Sequence, residues 1–127
     1  MKISPAKIND TEVAMGVTFR PQFKQRMSEC NGGEVQVGNE AWWLYPFWDD
    51  TDRRSIRRTA EDIRRVTEQL RSDEIGFPVD AIAIAHNAAD DVLFLRTEGG
   101  AVMSEVWLFR LRGGTVSRAL EDVSQLW

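Results

Sequence analysis

Apolar and polar positions recur along this chain with two different periods, and the periods divide it into elements. Over residues 55–71 the period is helical: Ile56, Ala60, Ile63, Thr67 and Leu70 fall on one face, with Ser55 placed to cap the start. The opposite face is charged. Arg57–Glu61, Arg58–Asp62 and Arg64–Glu68 stand four residues apart, and each such pair contributes only about 0.2–0.5 kcal/mol. Burial of the apolar stripe must therefore hold this helix. Elsewhere the period is two. Val35 and Val37 alternate with polar residues, as in a half-buried strand. Residues 42–45, 81–85, 92–97 and 102–111 give further strand candidates, separated by Asn87-Ala88-Ala89-Asp90, Glu98-Gly99-Gly100 and Arg112-Gly113-Gly114.

Three shorter helices are predicted at about 9–15, 21–30 and 117–126. Asn9 and Glu12 are spaced as an N-cap and its partner, and Gly16 suits the helix end. Pro21 fits a first helical turn, Phe23 and Met27 form a short apolar stripe, and Asn31-Gly32-Gly33 turns the chain into a strand. The order of elements predicts an α+β class. It is a single domain over residues 1–127, with a mainly antiparallel sheet flanked by about four helices. Short connections between the later strands disfavour parallel crossovers.

The segment Glu12-Val13-Ala14-Met15-Gly16, Phe19-Arg20-Pro21-Gln22-Phe23, Asn31-Gly32-Gly33 resembles the opening of the SUKH superfamily. Trp43-Leu44-Tyr45-Pro46, the charged middle helix, Ile82-Ala83-Ile84-Ala85-His86-Asn87 with Asp90-Asp91-Val92-Leu93-Phe94-Leu95, and Glu105-Val106-Trp107-Leu108-Phe109 continue the resemblance in order. It spans nearly the whole chain. It implies a small α+β protein of a group composed mostly of bacterial immunity proteins against polymorphic toxins, with fungal cell-wall regulators as relatives. The implied function is a cytoplasmic immunity protein that neutralises a cognate toxin domain, most naturally a nuclease. The alternatives are a non-catalytic regulator or scaffold binding a cellular protein, and a small hydrolase using His86.

Composition narrows the chemistry. Net charge is −4, yet residues 53–71 hold seven arginines against three acids, so the remaining chain carries −8. Most of the surface would repel phosphates, which argues against direct nucleic-acid binding and favours a basic protein partner. No stretch is long and apolar enough to span a membrane, and the start lacks the apolar run of a signal peptide. One cysteine, Cys30, excludes an intramolecular disulfide and suits a reducing compartment. A monomer or weak dimer is expected.

No catalytic, cofactor or metal set emerges. Asp49-Asp50-Thr51-Asp52 is followed at once by Arg53 and Arg54 and lacks the mid-loop glycine of a calcium loop. His86 is the only histidine, so a zinc site of the usual composition cannot be built with Cys30. Cys30 sits at a predicted helix end, where the dipole disfavours a thiolate. His86 is expected to end a strand and bond to a turn. Asp90 and Asp91 are adjacent and read as turn and strand entry. A partner surface remains. Trp43 and Trp48 are expected to be exposed anchors, Asp49, Asp50 and Asp52 to supply charge, and Glu34 and Glu40 to form the rim.

Overall fold

The computed structural model describes all 127 residues. Two helices open the chain, α1 (Pro5–Met15) and α2 (Pro21–Glu29). Strands β1 (Gly33–Val37) and β2 (Glu40–Leu44) follow, then α3 (Arg53–Arg58) and α4 (Ile63–Asp73). The chain closes with β3 (Ala81–His86), β4 (Val92–Glu98), β5 (Ala101–Arg110), β6 (Thr115–Leu120) and a 3-10 turn, Val123–Leu126. The six strands form one antiparallel sheet in chain order. The α+β class and the antiparallel sheet agree with the sequence pattern, while the helices fall differently.

Alternation along β3 and β4 explains why the sheet is covered on both faces. Ile82, Ile84, Leu93 and Leu95 join Phe19, Phe23, Met27 and Phe47 in the larger core, beneath α1, α2 and the 3-10 turn. Ala81, Ala83, Val92 and Phe94 point the other way, into a smaller core with Val66, Phe77 and Phe109 beneath α4. The alanines let α4 approach closely. The register of β3 against β4 shifts between Ala83 and Ala85, and Thr67 Oγ1 of α4 accepts the Ala83 amide at 2.9 Å. The helix is thus fastened to the irregular point of the strand.

Three element boundaries differ from the sequence reading. Residues 55–71 form two helices, not one. Thr59, fully buried, accepts the Asp49 amide at 3.0 Å and donates to the Ser55 carbonyl at 2.8 Å, which closes α3. Asp62 then caps α4 by accepting the Arg65 amide, while the Ile63 amide is taken by the Pro46 carbonyl. Asp52, not Ser55, caps α3. Ile56 is consequently exposed, while Ile63, Val66 and Thr67 form the buried stripe. The first helix begins at Pro5, capped by Ser4, because proline at the first helical position follows a ready-made cap. Residues 117–126 are not a helix. Gly113 and Gly114, both at positive φ, fold the chain back so that β6 zips onto β5. Only the last turn is helical, capped by Asp122 with Gln125 in a reciprocal box.

Candidate partner-binding site

The residues that carry the sequence resemblance are locks on the backbone. Glu12 is buried at the end of α1, and its Oε2 accepts the Phe19 amide at 2.8 Å, with Lys24 Nζ at 3.4 Å. Asn31 grips Phe47 twice: its Nδ2 donates to the carbonyl at 2.9 Å and its Oδ1 accepts the amide at 2.8 Å. The large majority of buried polar side chains are satisfied in this way. These contacts set the positions of Phe19 and Phe47, whose rings meet edge-on at 5.2 Å in the larger core.

Trp42 and Trp43 show the period of two directly. Trp42 is buried and Trp43 is 39% exposed. Trp43 stands opposite His86 in the β2–β3 ladder, and the two rings lie 5.8 Å apart. Tyr45, two residues beyond Trp43, also stacks with His86, at 5.2 Å. The row Trp43–His86–Tyr45 occupies the sheet face that α4 covers only in part. Beside it runs a groove of about 520 Å³ along α4, walled by Leu70, Leu111 and Val92. Its charged residues are Glu61, Glu74 and Asp90, and no lysine or arginine lines it. Burial, and then the negative fields of Asp90 and Glu61, push the Tyr45 hydroxyl above its ordinary pKa, so it stays protonated.

The sequence-predicted residues separate. Glu34 is exposed and pairs with Trp43 across β1 and β2, so these two share a surface with His86 and Tyr45. Glu40 accepts Asn87 Nδ2 at 2.9 Å, at the edge of the turn that carries Asp90. Trp48 is 36% exposed. It lines a different cleft, of about 380 Å³, between Thr11 and Ala14 of α1 and Arg64 and Glu68 of α4. Asp50 is ion-paired with Lys7, which holds its carboxyl below the usual range. Asp52 caps α3, and hydrogen bonds from Ser55 lower its carboxyl. Asp49 is corrected from a surface charge to an internal one: it is buried, and its Oδ1 accepts the Thr51 amide at 3.0 Å. The acidic run therefore shapes a loop: Asp49 is buried, Asp50 is paired with Lys7 and Asp52 caps α3.

Sequence reasoning missed Tyr45 and the stacking role of His86, along with Glu61, Glu74 and Asp90. The spacing of Trp43 and Tyr45 was a usable signal, since residues two apart in a strand share a face. The acids come from separate elements, so no local pattern joins them. His86 ends β3 and its Nδ1 lies 3.3 Å from the Asn87 carbonyl oxygen, as expected. Asp90 takes positive φ in the turn, and Asp91 enters β4. Burial would raise the Asp91 carboxyl, but bonds from Arg110, Asn87 and the Leu111 amide outweigh it and leave it low. Cys30 caps α2, exposed, beside the chain's amino group and the Gly32 carbonyl. No three His, Cys, Asp or Glu side chains converge on a point, and no helix is long and apolar enough to cross a membrane.

A family model described as the SMI1 / KNR4 family (SUKH-1) matches residues 2–126. No curated protein and no solved structure matches the chain.

Proposed function

The chain belongs to the SMI1/KNR4 family (SUKH-1), and on that premise we propose that it is a bacterial immunity protein, binding and neutralising a basic, nuclease-type toxin domain in the cytoplasm. Members of this family are generally non-catalytic and serve in immunity or regulation through protein–protein contact. One observation carries the finer reading: an aromatic row, exposed at Trp43 and half-buried at His86 and Tyr45, opens onto a groove whose only charges are carboxylates. Aromatic rings supply contact area with few torsions to freeze, and uncompensated acids steer a basic surface toward them.

Neutralisation on this reading is steric and electrostatic. Trp43 is the anchor, with Glu34 at the rim. Trp48 and Asp50 extend the contact onto the loop beyond β2. Asp49 and Asp52 shape that loop without touching the partner, and Glu40 supports the Asn87 turn.

The test is co-expression with the toxin domain encoded beside this chain in its native genome. Growth rescued by the wild-type chain, and lost with Trp43→Ala in a protein of unchanged melting temperature, supports the reading. Rescue retained by Trp43→Ala moves the interface off this face. A locus without a toxin gene, together with stable association with an endogenous regulator, would replace immunity by regulation.

A further inference from the structure

The two flanks of α4 on one sheet face carry the same kind of recognition device, and only one is filled from within the chain. On the β4–β5 side, the guanidinium of Arg96 lies 5.0 Å over the ring of Trp107. It forks onto Asp80, Nε to Oδ2 at 3.0 Å and a terminal nitrogen to Oδ1 at 3.3 Å. On the β2–β3 side, the rings of Tyr45 and His86 stand beside Glu61, Glu74 and Asp90, and no arginine or lysine of the chain enters that groove. Register confirms the common face: Trp43 pairs with His86, His86 with Val92 and Val92 with Phe109, two residues from Trp107.

The geometry points to a single arginine side chain of the protein partner as the occupant of this groove. Its guanidinium lies along the Tyr45 ring, and its N–H groups donate to Glu61, Asp90 or Glu74. Charge selects a cation, since the lining offers three carboxylates and, beside the single imidazole of His86, no lysine or arginine. Shape selects arginine over lysine. A planar guanidinium can stack on a ring while forking to carboxylates, whereas an ammonium is a compact, strongly hydrated charge. The apolar walls at Leu70 and Leu111 suit the methylene stem. Tyr45 remains protonated beside these acids and so adds no repulsion within the site and keeps a neutral ring to stack on. This inference rests on the partner-binding reading of the same face and names the partner group that the face reads.

The test uses N-acetyl-arginine amide as probe, titrated into the full chain with the Trp43 indole and the Tyr45 and His86 rings followed by NMR. Saturable shifts confined to those signals, weaker with the lysine analogue and absent with the neutral citrulline analogue, are expected. The Glu61→Gln/Glu74→Gln/Asp90→Asn variant should weaken the arginine probe by about tenfold, as befits a lost charge-assisted fork. Equal shifts from citrulline, shifts elsewhere on the molecule, or undiminished binding to the triple variant would overturn the inference. Arginine binding together with toxin rescue that survives Trp43→Ala would instead move the toxin interface off this face and leave the groove's preference standing.

Discussion

The two flanks of α4 differ in what completes them. On one, Trp107 is covered by Arg96, Arg96 is held by Asp80, and Arg118 pairs with Glu105 nearby at 3.3 Å. The charges nearest Trp107 there have internal partners. On the other, aromatic rings and acids face outward together with no cation of their own. The fold is the same under both, because the same helix and strands support them. The difference teaches that an acidic or aromatic surface is informative only after its internal partners are subtracted. By that measure Asp49, Asp50, Asp52 and Glu40 lose much of their interest, and Glu61, Glu74 and Asp90 gain it.

The largest effect should come from the helix that separates the flanks. Ile63 is fully buried at the start of α4, so Ile63→Asp buries an unpaired charge and should cost several kcal/mol, roughly 3–5, with both flanks lost together in one unfolding transition. A melting temperature equal to wild type would show that α4 is not what supports them. Next comes acid. The Asp91 carboxyl is low in the folded chain, so the stability it contributes is present above its ordinary value of 3.8 and is lost as pH falls through the lowered one. Asp91 braces the turn carrying Asp90, so the Trp43 indole signal should shift before that of Trp107 during acid titration. Simultaneous shifts, unchanged in Asp91→Asn, would remove that brace from the comparison.

A third expectation contrasts the flanks directly. Arg96→Ala should lower stability by about 1 kcal/mol, since a partly exposed stack and ion pair are worth little more. Glu61→Gln, on the open flank, should leave thermal stability within about 0.5 kcal/mol of wild type, because no internal cation depends on it. Denaturant melts of the two variants decide the matter, and an equal loss in both would erase the distinction. The smallest effect closes the open flank. Gln69→Arg places a cation on α4 beside the groove, which should add a few tenths of a kcal/mol and abolish binding of the arginine probe. Probe binding unchanged in this variant would show that the groove is read elsewhere.

How much was legible follows from the range of each interaction. Glu12 reaches seven residues to Phe19, and Asn31 sixteen to Phe47. Such locks recur in a fixed order along the chain, so the SUKH resemblance could be seen, and it identified a scaffold more than a surface. The exposure of Trp43 against the burial of Trp42 was equally local. The break at Thr59 was not, since that hydroxyl is engaged by the Asp49 amide from ten residues away. Nor was β6, where backbone pairing with β5 overrode a helical reading of residues 117–126.

Local periodicity and capping chemistry determined the class of fold, the antiparallel sheet and the family, because those signals act between residues close in sequence. Tertiary structure alone decided which charges are spent and which are free. Glu61 enters from the link before α4, Glu74 from the end of that helix, Asp90 from a turn and Tyr45 from the end of β2. Their common field exists only once the sheet has brought those four segments to one side of the same helix.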